Sequence, residues 1–335
     1  MKLLFLRKFT ASDTDYLLKN LADKYDIIIP KKYSDSELCD LIKDADVCIG
    51  NSISSKILKK GKKIRLFQNL GAGIDNLNLE NFKGKDIIIG NSHTNTIYVA
   101  EYAIALMFSL IKKIHHHDRF MRSGNWFKPS GKTEDKYYLS DTILGKKIGI
   151  LGYGNISKGI IKMLSGFENE ILILSNHNNN KGQKSDSENR GQIKFVDLTY
   201  ILSRSEILFV ALPLTHKTIS MLGEKEFDLI NRNLYLINVS RAEIIQKSAL
   251  YNSLLKEKIK GAALDVWYSD TLVKSNKRYP SKEFPFHELN NMVLSPYRAG
   301  YVGNLSPHLE GVVSNLLLFF NEGRVHTEVD LIEGY

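Results

Sequence analysis

The chain has little of several features that mark particular classes of protein. Its only cysteines are Cys39 and Cys48, which excludes a disulfide framework and favours a reducing cytoplasm. No segment approaches the roughly 18 consecutive apolar residues that a membrane span requires. The apolar run within Met1–Arg7 is too short for a secretory signal peptide and suits a first strand better. These absences lead us to expect a cytoplasmic protein without a membrane partner.

The basic charge does not indicate a nucleic-acid partner. The net charge is +9, but no arginine-rich patch, zinc-ligand spacing or RNA-binding aromatic motif accompanies the scattered lysines. A lysine-rich solvated surface explains the charge, with a mild attraction for anionic substrates and nucleotides as the alternative. His115, His116 and His117 are consecutive. Adjacent residues on a helix point in different directions, so we expect no metal site there.

Short apolar runs alternate with helical stretches along the whole chain. In the first hundred residues they recur at roughly twenty-residue spacing, which predicts βαβ units and a parallel sheet. These candidate strands are Lys2–Leu6, Asp26–Pro30, Ala45–Gly50, Arg65–Leu70 and Asp86–Gly90. The alternation resumes after Lys146, and seven strands there would complete a dinucleotide-binding sheet. They are Ile148–Leu151, Glu170–Ser175, Gln192–Val196, Glu206–Leu212, Leu234–Val239, Gly261–Val266 and Met292–Ser295.

Two helices are expected to mark the crossings between domains. The first has one apolar face, made by Val99, Tyr102, Ala103, Leu106, Met107 and Leu110. The second, Leu309–Asn321, is apolar and is expected to return to the first domain. We therefore predict one domain from residues 1–98 and 300–335 and another from residues 99–299, with a cleft between them.

A glycine-rich turn follows the candidate strand Ile148–Leu151 and opens a helical stretch at Asn155. Gly152 and Gly154 match the first two glycines of the pattern G-x-G-x-x-G, where a side chain would keep the backbone away from a pyrophosphate. The free N–H groups and the positive dipole end of the helix then favour the anion. Ser157 replaces the third glycine, so the match is imperfect.

Further segments line up with this turn: Asn69–Asp75 (NLGAGID), Asn238–Ala242 (NVSRA), Gly261–Trp267 (GAALDVW) and Ser295–Gly300 (SPYRAG). In this order and spacing the chain resembles the D-isomer-specific 2-hydroxyacid dehydrogenase family over nearly its whole length. The resemblance implies an α/β protein with two doubly wound parallel sheets, a Rossmann nucleotide domain inserted into a flavodoxin-like substrate domain. It also implies hydride transfer between a nicotinamide and the hydroxyl-bearing carbon of a 2-hydroxy acid.

The resemblance assigns roles to individual residues. Arg241 matches the arginine that holds the substrate's carboxylate and carbonyl oxygen, a task that suits a fixed, permanently charged fork; a surface salt bridge is the alternative. Ala72 and Gly73 match the loop whose backbone N–H groups hold the carboxylate, although a tight turn explains them equally well. Asp265 stands where the family binds the nicotinamide carboxamide. The implied cofactor-binding residues are Gly152, Gly154, Asn155, Ile156, Ser175, Asn176, Leu212, Pro213, Thr215, Val239 and Asp265.

The acid–base pair departs from the family pattern. The family's histidine and its partner glutamate are replaced by Tyr297 and Asp270. We predict Tyr297, Asp270 and Arg241 as the catalytic residues. A phenol, with an unperturbed pKa of about 10, can donate a proton in ketone reduction but is a poor base near neutrality, which predicts a slow, reduction-biased enzyme. Asp270 is a methylene shorter than glutamate, so the sequence leaves open whether its carboxylate reaches Tyr297. His93 is either a substitute acid or an ordinary loop histidine.

The position that selects between the two nicotinamide cofactors also departs from the common pattern. An acidic residue about twenty positions past the glycine turn usually holds the ribose 2′-hydroxyl of NAD. Ser175 and Asn176 stand there instead. No carboxylate repels a 2′-phosphate, and Lys181 or Arg190 could reach one. We expect NAD(P), with a preference for NADP.

Two functions remain open at this point. One is an NAD(P)-dependent 2-hydroxyacid dehydrogenase or 2-ketoacid reductase, favoured by the retained Arg241 and the Gly71–Gly73 loop. The other is a catalytically impaired relative that binds nicotinamide as an interaction or regulatory module, favoured by the replaced acid–base pair. The resemblance further implies a homodimer formed through about residues 114–143, with a small 2-hydroxy or 2-keto acid as the ligand.

Overall fold

The computed structural model describes residues 1–126, 139–174, 193–274, 277–303, 306 and 308–335. The chain forms two compact units, Met1–Asn95 with Tyr301–Tyr335, called unit 1 below, and Thr96–Gly300, called unit 2. No helix among the described residues is long and apolar enough to cross a membrane. The roles predicted for the two units, substrate binding and nucleotide binding, remain predictions.

Unit 1 is built on a five-stranded parallel sheet. Its strands are β1 (Lys2–Phe5), β2 (Asp26–Ile28), β3 (Val47–Gly50), β4 (Leu66–Asn69) and β5 (Ile88–Gly90). Its helices are α1 (Ala11–Leu21), α2 (Asp35–Leu41), α3 (Ser55–Leu58) and, at the end of the chain, α10 (Leu309–Glu322). The strand order β2-β1-β3-β4-β5 is the flavodoxin-like order. Apolar clusters cover both faces of the sheet, and α10 packs against α1 and β4.

Unit 2 is built on a seven-stranded parallel sheet in the order β14-β11-β10-β9-β6-β7-β8, the doubly wound order of dinucleotide-binding domains with one added strand. Its strands are β6 (Lys147–Leu151), β7 (Glu170–Leu174), β8 (Ile193–Val196), β9 (Ile207–Val210), β10 (Tyr235–Asn238), β11 (Gly261–Leu264) and β14 (Met292–Leu294). Its helices are α4 (Thr96–Ile111), α5 (Ile114–Arg122), α6 (Asn155–Leu164), α7 (Leu198–Arg204), α8 (Glu224–Leu229) and α9 (Lys247–Leu255). The two parallel α/β sheets predicted from the sequence are confirmed.

The helix predicted from its apolar face is α4, and it packs closely on α6. Val99, Ala103 and Met107 of that face are buried. A Cβ placed on Gly159 of α6 would lie 2.8 Å from the Cβ of Ala100. The missing side chain at Gly159 therefore permits the close approach of the two helices.

A short hairpin in unit 2 has no counterpart among the predicted elements. Strands β12 (Leu272–Lys274) and β13 (Lys277–Tyr279) pair antiparallel, in the connection between β11 and β14. At the base of the hairpin, the N–H of Lys282 donates to the carbonyl oxygen of Asp270 at 2.6 Å. The hairpin lies in the segment that follows the carboxyl end of β11. Ligands bind at this edge in open α/β sheets.

Candidate active site

The glycine turn has room for a ligand in front of α6. Gly152 adopts φ +103°, and a Cβ there would lie 2.7 Å from the carbonyl oxygen of Ala211, so only glycine fits. Gly154 differs: its φ is an ordinary −89°, and a Cβ there would meet no atom within 4 Å. The protein itself does not require glycine at position 154. A glycine at position 154 is instead explained by the space that a closely approaching pyrophosphate needs.

Helix α6 begins without a side-chain cap. Gly154 is its N-cap residue and offers no hydrogen bond, so the N–H groups of the first turn, at Asn155, Ile156 and Ser157, are available to an anion. Ser157, at the third glycine position, is fully buried, and its hydroxyl donates to the carbonyl of Gly152 at 2.8 Å. The serine therefore braces the turn from inside, and the residues present fit a dinucleotide.

The other expected cofactor residues lie at the carboxyl ends of the unit 2 strands or outside the described residues. After β9, the Thr215 hydroxyl accepts from the backbone N–H of Lys217, and the Thr215 N–H donates to the hydroxyl of Thr218. That hydroxyl donates to the Pro213 carbonyl, so Pro213 and Thr215 belong to one closed turn, which Leu212 precedes. Val239 is buried directly after β10. Ser175 and Asn176 lie outside the described residues. Their predicted role stays a prediction.

Asp265 organises the loop that carries Tyr297. The residue is 4% exposed. It accepts hydrogen bonds from the hydroxyl of Ser295 and from the backbone N–H groups of Arg298 and Ala299. These partners supply a structural reason for an acid at the end of a buried strand. Oδ1 accepts two of the bonds and Oδ2 one, which leaves one acceptor position on Oδ2 for a ligand amide.

Arg241 follows β10 on a turn held by two buried polar side chains. The Oδ1 of Asn238 accepts from the N–H of Ser240 at 3.0 Å and from its hydroxyl at 2.9 Å, and the Nδ2 of Asn238 donates to the carbonyl of Arg241 at 2.9 Å. The guanidinium is half-buried, and its Nη1 donates to the Ser240 carbonyl. The turn therefore fixes the backbone from which the fork projects at the ligand edge of the sheet.

Tyr297 is bound to the backbone of Trp267. Its hydroxyl donates to the Trp267 carbonyl at 2.5 Å and accepts from the Trp267 N–H at 2.8 Å. Burial raises the pKa of the phenol; Glu243 adds to the rise, while the Trp267 hydrogen bond and the charge of Arg241 lower it. Arg241 and Tyr297 both follow strands of unit 2, β10 and β14, at the carboxyl edge of the sheet. Tyr297 also adopts φ +55°, the left-handed region.

Asp270 does not reach Tyr297. Its carboxylate accepts from Lys247 Nζ at 2.8 Å and from the hydroxyl of Ser281 at 2.9 Å. Burial acts to raise its pKa, but the hydrogen bonds from Lys247 and Ser281 lower the pKa overall. Asp270 thus ties the base of the hairpin to α9. The hydrogen bonds of the Asp270 carboxylate go to Lys247 and Ser281, and those of the Tyr297 hydroxyl go to Trp267, so none of them joins the two predicted catalytic groups.

The loop after β4 in unit 1 presents consecutive backbone N–H groups. The side-chain amide of Asn69 donates to the carbonyls of Gly71 and Gly73, at 2.8 and 2.9 Å, and that of Asn91 donates to the carbonyl of Ala72 at 3.0 Å. Within the described part of the chain, none of the three N–H groups of this loop donates a hydrogen bond. With its carbonyls turned to the protein, the loop offers these donors to an anion.

Sequence reasoning missed the side chains that shape these turns. Asn69, Asn91 and Asn238 are at most 3% exposed, and each bonds the backbone of a site loop. The sequence does contain a weak signal, because each asparagine lies at or beside the end of a predicted strand, where a buried polar residue needs a specific partner. Trp267 binds Tyr297 and Lys247 binds Asp270. No sequence pattern predicts these two contacts, because they depend on the tertiary fold.

Comparisons with known proteins agree with this description. A family model for the D-isomer specific 2-hydroxyacid dehydrogenase, NAD binding domain, matches residues 104–299. A glyoxylate reductase of Pyrococcus horikoshii is 27% identical over 315 residues, 92% of this chain and 90% of that protein. A D-3-phosphoglycerate dehydrogenase of Archaeoglobus fulgidus is 26% identical over 303 residues, 89% of this chain and 53% of that one. The solved PH0520 protein of Pyrococcus horikoshii, 27% identical, superposes with a TM-score of 0.77 over 98% of this chain and 95% of that one.

Proposed function

The chain belongs to the D-isomer-specific 2-hydroxyacid dehydrogenase family, and on that premise we propose that it reduces a small 2-keto acid with a nicotinamide cofactor. The observation that carries the proposal is the Gly71–Gly73 loop. Its three carbonyls accept hydrogen bonds from protein side chains, while its N–H groups can donate to a ligand. Such an array suits a carboxylate. A glyoxylate reductase is among the relatives, which supports a small substrate.

The residues of unit 2 supply the remaining functions. Arg241 binds the substrate's carboxylate and carbonyl oxygen, and its fixed charge polarises the carbonyl and stabilises the alkoxide that forms there. Gly152, Gly154 and the first turn of α6 would hold the pyrophosphate, while Val239 and Asp265 would adjoin the nicotinamide. The reduced nicotinamide, when bound there, supplies the hydride.

The proton is assigned to Tyr297. Burial raises the pKa of its phenol, so the hydroxyl stays protonated at neutral pH. To serve the substrate, it must exchange its bond to the Trp267 carbonyl for one to the substrate oxygen. That exchange and the weak acidity of a phenol favour slow turnover, biased toward reduction. His93 remains the alternative acid.

Oxidation of NADPH and NADH against glyoxylate, hydroxypyruvate, pyruvate and longer 2-keto acids tests the proposal. We expect turnover of at least one of these substrates. The variant Arg241→Gln should lower kcat/KM by at least about 100-fold, because two charge-assisted hydrogen bonds at about 1.5–3 kcal/mol each are lost. Arg232→Gln, at an exposed position, is the matched control. Unchanged kcat/KM in Arg241→Gln would remove Arg241 from the site.

A second candidate function is a nicotinamide-binding module with little catalysis. The engagement of Tyr297 with Trp267 and of Asp270 with Lys247 favours it, since neither acid–base group is poised for a substrate. This function predicts cofactor binding in a titration with no turnover of any 2-keto acid in the panel. Turnover that Arg241→Gln abolishes would reject it.

The cofactor preference follows from the sequence after β7. The sequence has Ser175 and Asn176 at the positions where an acidic residue commonly binds the ribose 2′-hydroxyl of NAD, so we infer a preference for NADP. Dissociation constants for NADPH and NADH, measured on the same preparation, test it. Tighter binding of NADH would reject the preference.

The assembly expected from the family resemblance is a homodimer formed through about residues 114–143. Two features support it: α5 exposes Ile114 and Met121, and Trp126 beyond its end is 73% exposed. Exposed apolar side chains grouped on one segment suit a protein interface. Sedimentation equilibrium of the wild type and of Met121→Glu tests this. A monomeric wild type would reject it.

A further inference from the structure

One imidazole of unit 1 lies against the anion-binding loop. A Cβ placed on Gly71 would meet the ring of His308, with Nε2 the nearest atom at 3.5 Å, then Cε1 at 3.7 Å and Cδ2 at 3.9 Å. The Nε2 edge of the ring is thus the part closest to the loop. Because Gly71 carries no side chain, nothing from that residue separates its backbone from this edge of the ring.

Contacts on both sides of His308 fix its place. Two residues earlier, the backbone N–H and hydroxyl of Ser306 donate to the buried carboxylate of Asp13 at 2.9 and 2.7 Å. The carbonyl of His308 itself accepts the hydroxyl of Ser92 at 2.9 Å. Three residues later, a Cβ on Gly311 would lie 2.3 Å from that hydroxyl oxygen. The start of α10 therefore packs closely against the segment that contains Ser92.

The same segment is joined to the loop. The N–H of Ser92 donates to the carbonyl of Gly71 at 3.2 Å, and the neighbouring Asn91 donates to the carbonyl of Ala72. One backbone segment thus binds the loop on one side and His308 on the other. The contacts of Ser306 and Gly311 and of the His308 carbonyl are made without the imidazole, so a substitution of the side chain at 308 leaves these contacts in place.

We propose that His308 is a substrate-binding residue, whose Nε2–H donates to the carboxylate held by the N–H groups of Gly71–Gly73. The inference rests on the proposed function and deepens it. An imidazole donor at the edge of the loop adds a further hydrogen bond, and a charge-assisted one when the ring is protonated.

Binding of oxamate, a 2-keto acid analogue that is not reduced, tests the proposal on the full-length protein. The variant His308→Leu should weaken oxamate binding by about 10-fold, the typical effect of one lost hydrogen bond to a charged group. His308→Gln, which keeps an N–H donor on a side chain of similar reach, should restore most of the affinity. His326→Leu is the matched control, because His326 is exposed in the same unit and its contact with Asn315 uses its backbone N–H.

A second measurement does not depend on any variant. Oxamate added to the wild type without cofactor should shift the ring resonances of His308 in a proton–nitrogen NMR spectrum and leave those of His326 unchanged. Unaltered oxamate affinity in His308→Leu, or His308 resonances that do not move, would overturn the assignment even if the enzyme reduces 2-keto acids. A wild type that neither binds oxamate nor turns over a 2-keto acid would instead reject the proposed function, and His308's role with it.

Discussion

Replacing Gly154 by serine separates the needs of the fold from those of the cofactor. Gly154 is the N-cap of α6, with φ −89° and ψ −169°, a conformation that serine adopts readily at this position. A Cβ there meets no atom within 4 Å. The new hydroxyl can accept a first-turn N–H, which stabilises the helix by a few tenths of a kcal/mol, about the difference between serine and glycine caps. The melting temperature should hold or rise slightly.

Cofactor binding should respond in the opposite direction. The serine side chain fills the space in front of α6 and its hydroxyl engages the N–H groups that the pyrophosphate needs. Losing one charge-assisted hydrogen bond costs about 1.5–3 kcal/mol, so affinity for NADPH and NADH should fall by about 10- to 150-fold. Fluorescence titration of the reduced cofactor measures it, with thermal unfolding on the same samples.

The matched variant is Gly152→Ala. Its φ of +103° and the Ala211 carbonyl oxygen, 2.7 Å from the added Cβ, should lower stability by about 1–3 kcal/mol. Wild-type cofactor affinity in a folded Gly154→Ser protein would refute the placement of the pyrophosphate at α6.

Two further substitutions probe the unit 2 loops, and alkaline pH probes a tyrosine in each unit. Tyr297→Phe leaves the Trp267 N–H and carbonyl unpaired, so the free energy of unfolding should fall by about 1 kcal/mol and kcat for reduction by about 10²-fold or more. Unchanged kcat would mean that Tyr297 is not the acid. Tyr200→Phe is the control. Asp270→Asn should lower the melting temperature with little effect on kcat, because Asp270 binds Lys247 and Ser281; a large loss of kcat would instead support its catalytic role. Burial raises the pKa of Tyr25 and Tyr268 above their ordinary value. The stability that depends on their protonated form is full below about pH 10 and is lost as pH rises toward the folded pKa, so a melting temperature that is flat across this alkaline range would contradict these shifts.

The sequence predicted the elements of the fold well because each has a local cause. Most strands of unit 2 are runs of buried apolar residues, with β8 the exposed exception, and the apolar face of α4 appears as a helical repeat. The Gly152 turn was recognisable because its backbone conformation excludes other residues. The β12–β13 hairpin was missed, since its base is closed by a contact between Asp270 and Lys282 that no short-range pattern encodes.

The candidate site divides in the same way. Arg241 and the Gly71–Gly73 loop were identified because they fall in a motif at strand ends. The partners of Tyr297 and Asp270 could not be predicted, because Trp267 and Lys247 reach them only in the folded protein. The carboxylate of Asp265 was expected to serve a ligand, and most of its hydrogen-bonding capacity serves its own loop.

The placement of α10 has a consequence for biosynthesis. The five strands of unit 1 are translated before unit 2, but helix α10, which packs in the same apolar cluster as Leu3, Phe5 and Leu66, is translated after it. Tyr25 cannot donate its hydroxyl hydrogen to the Leu316 carbonyl until translation has passed residue 316. During that interval the nascent sheet presents an uncovered apolar face, a state prone to aggregation. A ribosome stalled before residue 309 would thus hold a chain whose first domain cannot close.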